Sequence, residues 1–297
     1  MEPVERRWGE LFAFAAAVAF SMKAILVKLA LAQGADAIAL LAVRMAFALP
    51  IFAAIAYRGA PRGLTRGDAW RLFGLGLLGY HAAAALDFAG LRYVSAGLER
   101  VVLYIHPTLV VLFAAAFQGR ALRARELGGI AIAWAGLALA VSGDLRGGRP
   151  GDVLAGVGLV AACAVCYAAY LLGAEAIGKR LGTVFVAATA TAASAFTLGL
   201  QVGILQPTDV IAMPAAAVGY AALLALVCTA LPVVLLATAI NQIGPARAST
   251  IGMVGPTLAA LLGWAILGEP LTLSQLAGGF VVVAGVTWAR APRPSAA

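Results

Sequence analysis

Residues 91–140 read LRYVSAGLERVVLYIHPTLVVLFAAAFQGRALRARELGGIAIAWAGLALA, and the chain repeats them. Shifted by about 149 positions, a fixed long period of the kind that marks repeat architectures, the stretch falls without a gap on residues 240–289. The second copy reads INQIGPARASTIGMVGPTLAALLGWAILGEPLTLSQLAGGFVVVAGVTWA. Pro107-Thr108-Leu109 meets Pro256-Thr257-Leu258, Gly119 meets Gly268, Leu122 meets Leu271 and Leu127 meets Leu276. Gly129 meets Gly278, and Ala135-Gly136 meets Ala284-Gly285. Apolar matches come easily in a chain rich in alanine and leucine. A proline and several small residues in constant register do not, so the chain divides into halves at residues 1–145 and 146–297.

Composition sets the environment. With 63% hydrophobic and 11% charged residues and a mean hydropathy of +0.97, the chain has the profile of a membrane protein. Apolar runs of about 20 residues recur throughout, each long enough to cross a hydrocarbon core of ~30 Å. The ten expected spans are Trp8–Leu31, Ile38–Tyr57, Ala69–Gly90, Val94–Phe117, Glu126–Val141, Val153–Ile177, Thr183–Ile204, Ala215–Ile240, Ala246–Leu267 and Leu273–Ala289. The run after Arg6-Arg7 continues to Leu31, past the length of a signal-peptide core, and is read as the first span. The net charge of +8 comes from arginines clustered between spans, with no basic face for nucleic acid. Cys163, Cys166 and Cys228 lie within apolar runs and read as small packing residues; one CxxC without a second pair or a strand-helix context is no redox or metal motif.

Orientation follows from the connections. Arg6, Arg7, Arg58, Arg62, Arg66, Arg71, Arg120, Arg123, Arg125, Lys179, Arg180, Arg247, Arg290 and Arg293 fall on one side, and only Arg92, Arg100, Arg146 and Arg149 on the other. The positive-inside rule puts both termini in the cytoplasm. Five spans per half is an odd number, so the second half enters the membrane from the opposite face. The expected fold is an all-α integral membrane protein of ten transmembrane helices built from two inverted five-helix repeats, an arrangement used by secondary transporters.

The stretch Leu91-Arg92-Tyr93-Val94-Ser95-Ala96 leading to Pro107, and the stretch Pro256–Trp264 followed by Leu267-Gly268-Glu269-Pro270-Leu271, resemble the EamA-type repeat of ten-helix members of the drug/metabolite transporter superfamily. The resemblance runs once through each half. Gly268-Glu269-Pro270 is its most specific part; the first half departs there, carrying Gly119-Arg120-Ala121. The resemblance implies a bacterial inner-membrane exporter of amino acids or related small metabolites, with helices around a central cavity and the last helix of each half at the periphery. Relatives in the superfamily exchange nucleotide sugars or phosphorylated sugars, so an antiporter of such metabolites is the alternative.

Charges inside a bilayer are costly and therefore informative. Lys28, Arg44, Asp87, Glu99 and Arg100 fall at one level in the outer third of the first four spans and read as an ion-pair network. That network is either a static set of pairs and snorkelling side chains or an extracellular gate. Lys23 lies deeper, two residues past Ser21, with Tyr80, His81, Tyr104, Tyr167 and Tyr170 at similar depth. These seven form the candidate substrate-binding set: Lys23 for a substrate carboxylate, the tyrosines for hydroxyl donors and flat apolar surface. Tyr80, Ala84 and Asp87 are spaced i, i+4, i+7 and are expected on one helical face. His81 is a candidate for a coupling proton or for substrate. His106 precedes Pro107, where it can donate to a carbonyl that the proline leaves without a helical partner. Pro107, Pro232 and Pro256 interrupt spans four, eight and nine and are candidate hinges.

No HExxH, no GxSxG and no His/Asp pair at metal spacing occurs, so neither an enzyme nor a resident metal or cofactor is expected. The expected partners are the lipid bilayer and a small-molecule substrate, with protons as a second cargo.

Overall fold

The computed structural model describes residues 3–147, 149–205 and 207–290; Arg293 of the orientation argument lies outside them. The described residues form helices and short connections, without strands. We number the spans α1 Pro3–Ala32, α2 Ala37–Arg58, α3 Arg66–Gly90, α4 Ala96–Gln118, α5 Ala124–Gly147, α6 Pro150–Leu181, α7 Thr183–Leu205, α8 Ala215–Ile243, α9 Arg247–Leu267 and α10 Leu273–Arg290. Among the described residues nine of these are long and apolar enough to cross a membrane, and α10 is a shorter apolar helix. Each lies within a few residues of an expected span. All five tryptophans, Trp8, Trp70, Trp134, Trp264 and Trp288, are exposed, as suits rings placed in lipid or at its interface.

The halves meet where small residues let backbones touch. On α5 and α10, a Cβ added at Gly136 would stand 2.8 Å from the Gly278 carbonyl oxygen, and one at Gly278 would stand 2.5 Å from the Gly136 oxygen. Gly129 and Gly285 clash reciprocally, each at 2.6 Å. As numbering rises on one helix it falls on the other, so α5 and α10 run antiparallel. The register match of Gly129 with Gly278 and of Gly136 with Gly285 makes them equivalent helices related by a pseudo-twofold axis. That is the inverted repeat seen in geometry. Small-residue contacts of this kind replace the hydrophobic drive that lipid does not supply.

Local backbone follows the same symmetry. The π-helical segments Leu77–Ala82 of α3 and Leu226–Ala230 of α8 begin at matching repeat positions. The helical ladder also breaks at Tyr104-Ile105 and at Met253-Val254, just before Pro107 and Pro256, where proline removes a backbone donor. Gly119 and Gly268 both end their helices at φ +67°, a left-handed conformation that explains why the turn keeps glycine in each copy.

Packing crosses between the halves. Helix α1 packs on α8 and α9 of the second half, α6 packs on α3 and α4 of the first, and α2 packs on α7. The buried core therefore mixes both repeats: one cluster joins Ile25 and Leu40 to Leu198 and Leu224, another joins Leu98 to Val160 and Val282. Helices α5 and α10 cover each other.

Asp36 caps α2, its Oδ1 accepting from Ile38 N at 2.8 Å and Ala39 N at 3.2 Å, while Oδ2 accepts from Arg92 Nη2 at 2.9 Å. Partial burial pushes this carboxyl up, but the two amides and the guanidinium outweigh it and hold the group below the usual carboxylate range. The depressed folded value means the stabilisation is complete above about pH 4 and is lost as pH falls through the folded value. Wild type is therefore expected to unfold at higher temperature than Asp36→Asn near neutrality, with the gap closing on acidification. A gap independent of pH in detergent melts contradicts this.

Candidate functional site

Helices α1, α3 and α4 bring four charged side chains together in the core. Lys23 Nζ of α1 donates to Asp87 Oδ2 of α3 at 2.5 Å and to Glu99 Oε1 of α4 at 2.9 Å. Asp87 is 3% exposed and Glu99 0%. Arg100, next to Glu99, donates through Nη2 to the Phe20 carbonyl of α1. Asp87 Oδ1, Glu99 Oε2 and Arg100 Nε are buried without a hydrogen-bond partner among the described residues. Ions withdrawn from water cost several kcal/mol each unless well paired, and ionisable groups inside a membrane mark functional sites.

The structure divides the charges differently from the expectation. Lys23, expected to await a substrate carboxylate, is engaged by two carboxylates of its own protein. Arg44 of α2 donates through Nε (3.3 Å) and Nη2 (2.9 Å) to Thr229 Oγ1, inside the π-segment of α8, and lies over the Phe88 ring at 5.5 Å. Lys28 belongs to a third group: it donates to the Val94 carbonyl at 2.8 Å and pairs with Glu269. The direct hydrogen bonds and ion pairs of these five residues thus fall into three groups. Spacing along single helices gives depth, but partners are set by helix rotation and by contacts between halves.

The Lys28 group ties α1 to the α9–α10 turn at one end of the bundle. Glu269 reaches from the Gly268-Glu269-Pro270 turn to Lys28 of α1 and also accepts from the Ala96 amide at 2.8 Å. Beside it Gln275 Nε2 donates to Ser95 Oγ at 3.0 Å and Asp144 Oδ1 at 2.5 Å. A cavity of about 400 Å3 opens there, lined by Lys28, Leu31, Gly34, Ala35, Leu91 and Arg92. Sequence reasoning missed Glu269. Its signal was an acid in the most specific turn of the repeat, replaced by Arg120 in the other copy, where Arg120 pairs instead with Glu126 at 2.8 Å.

The aromatic candidates separate too. Tyr80 and Tyr170 meet hydroxyl to hydroxyl at 3.3 Å, Tyr167 stacks on Tyr170 with centroids 5.8 Å apart, and His106 stands edge-on to Tyr167 at 5.3 Å. Tyr80, within the π-segment of α3, and Asp87, a turn or two beyond it, have different hydrogen-bond partners. His81 instead faces α7, with Nδ1 2.8 Å from Thr197 Oγ1 and Nε2 2.7 Å from Gln201 Oε1. Ser21 is fully buried, its hydroxyl directed at the carbonyls of Ala17 (2.8 Å) and Gly255 (3.2 Å), so it presents nothing to a ligand in this conformation. Tyr104 donates to the Gly252 carbonyl at 2.6 Å. Both residues thereby serve the carbonyls around the α9 break. His106 Nδ1 donates to the Leu103 carbonyl at 2.8 Å, the kind of acceptor expected to be freed before Pro107.

The family model described as the EamA-like transporter family matches residues 7–142 and again 154–290. The chain belongs to this family. Along 290 residues it is 32% identical to the uncharacterized transporter YcbK of Bacillus subtilis, covering 94% of this chain and 93% of the relative. A shorter match, 40% identical over 63 residues, joins 21% of this chain to an uncharacterized transporter of Archaeoglobus fulgidus. One solved crystal structure superposes with a TM-score of 0.62 over 96% of this chain and 98% of the other at 21% identity, a likeness of fold. This EamA-family chain is a multi-pass membrane transporter. Its paired charges on α1, α3 and α4 therefore lie within a protein whose task is to move a solute.

Proposed function

We propose that the chain is a secondary transporter of the bacterial inner membrane that exports amino acids or related small metabolites by alternating access around the α1–α3–α4 centre. What supports this reading is the Lys23–Asp87–Glu99 cluster: three ions held in the membrane core of an inverted repeat, where a static fold would be served better by apolar residues. In this scheme Tyr80, Tyr167 and Tyr170 form its aromatic wall, and Pro107, Pro232 and Pro256 are the hinges about which the helices bend. Both termini are cytoplasmic on the lysine and arginine count, which puts the Lys28 end outside. Efflux of labelled amino acids from reconstituted vesicles tests the reading. Efflux of amino acids but not of nucleotide sugars is the expected result; the reverse selects the antiporter of phosphorylated metabolites, and no flux of either removes the proposal.

The Lys28–Glu269 pair is the outer latch in this scheme. It ties α1 of the first half to the α9–α10 turn of the second, so opening outward requires it to part. Glu269→Gln removes the charge but keeps the shape. A single cysteine placed at Leu91, in a background without native cysteines, is then expected to react several-fold faster with an impermeant maleimide than in the parent. Equal rates contradict the latch.

A further inference from the structure

One face of α10 differs from its symmetry mate on α5. Phe280, Val283, Ala284, Thr287 and Trp288 recur every three or four residues and so share that face. With Arg125 from the start of α5 they line a shallow cavity of about 380 Å3. Thr287 Oγ1 donates toward Met253 Sδ at 3.4 Å, which sets the face beside α9. In the first half the residue equivalent to Val283 is Trp134. Its indole Nε1 donates to Thr108 Oγ1 at 3.2 Å, reaching from α5 across to α4, and Thr108 is 1% exposed. Val283 has no comparable reach, and Thr257, the equivalent of Thr108, is exposed. The pseudo-twofold axis thus relates a place filled by an indole to an open groove.

The two ends of the groove differ chemically. Phe280 lies near the middle of α10 and Trp288 near its end, a distance of about 12 Å along a helix that rises 1.5 Å per residue. Half of a hydrocarbon core is about 15 Å thick, so the groove runs from the membrane surface to near the midplane. At the surface end Arg125 Nε donates to the Trp288 carbonyl at 3.0 Å, which holds the guanidinium at the mouth. Arg120, Arg123 and Arg125 stand in this connection with Glu126 as the one acid of residues 120–126. On the arginine count this end faces the cytoplasm. We propose that the groove is a binding site for one anionic phospholipid of the cytoplasmic leaflet, with an acyl chain along Val283 and Ala284 as far as Phe280 and the phosphodiester on Arg125. The N–H fork of a guanidinium matches phosphate oxygens, basic pockets at this level select anionic headgroups, and Trp288 stands where indole rings meet the headgroup layer. A zwitterionic lipid would bring its own ammonium into the same basic surroundings. The bound lipid fills in the second half the place that Trp134 fills in the first, and it touches both helices of the glycine seam.

Mass spectrometry of the intact, delipidated chain in detergent counts the lipids it retains. Offered phosphatidylglycerol and phosphatidylcholine at equal concentration, wild type is expected to hold one phosphatidylglycerol, several-fold in excess of phosphatidylcholine. Val283→Trp copies the first half and is expected to lose that retained lipid. Arg125→Gln keeps the groove and is expected to lose the preference, retaining both lipids alike. Arg71→Gln removes the same charge from an exposed position at the start of α3 and is expected to behave as wild type. Glycerol phosphate, a headgroup without chains, is expected not to compete. No preference in wild type, or wild-type retention by Val283→Trp, means that the groove is not the site. A loss with Arg71→Gln as large as with Arg125→Gln means a diffuse attraction to the basic face, and competition by glycerol phosphate means a site for free phosphate; either overturns the lipid assignment. Should Arg125→Gln fail to fold, Val283→Trp decides, and the reverse holds equally. The count needs no flux, so neither result touches the transport reading.

Discussion

Lys23→Met is expected to lower the stability of the folded chain by about 3–5 kcal/mol, the usual cost of removing one partner from a buried ion pair. Among the described residues Lys23 is the base within bonding distance of both carboxylates, which are 3% and 0% exposed. Its loss leaves two buried carboxyl groups without their base, and at least one of them must take up a proton or draw in water. The triple variant Lys23→Met/Asp87→Asn/Glu99→Gln replaces the three paired ions together and is expected to recover most of the loss, because exchanging a whole buried ion set for neutral groups costs far less than removing one partner. Denaturant or thermal unfolding in detergent separates these outcomes. A single variant as stable as wild type, or a triple variant less stable than the single, would mean that the three groups are not coupled.

The second large effect belongs to the pseudo-twofold contact. Gly136→Ala and Gly278→Ala each place a methyl within 3 Å of main chain on the facing helix, with no flexible side chain to give way. Each is expected to cost about 1–3 kcal/mol, the range for overpacking a tight interface. The two costs are expected to be similar, since the axis relates the surroundings of the two glycines. Gly128→Ala on the same α5 meets nothing within 4 Å and is expected to gain up to about 1 kcal/mol from the helix preference of alanine. Matching melts of the three variants would show no such contact; two losses and one gain are the expected pattern.

These cases also mark where the sequence was legible. The spans came out within a few residues because twenty-residue apolar runs leave little choice, and the inverted arrangement follows from an odd span count per half. Gly129, Gly136, Gly278 and Gly285 announced themselves by keeping register. Pairing was another matter. Lys23 and Asp87 are 64 residues apart and Lys28 and Glu269 are 241 apart, and nothing in either separation says which helix faces rotate together. Ser21 and Tyr104 looked like ligands for a substrate because they share the depth of Lys23. In the fold they answer carbonyls of Ala17, Gly252 and Gly255, two of which flank a helix break on another span.

The most direct test compares wild type with Lys23→Met/Asp87→Asn/Glu99→Gln for amino-acid counterflow in reconstituted vesicles, at matched protein content and matched melting temperature. If the ions at the junction of α1, α3 and α4 are where the solute crosses, wild type exchanges its cargo and the neutral triple variant, folded, does not. A triple variant that exchanges at the wild-type rate would contradict the whole assignment.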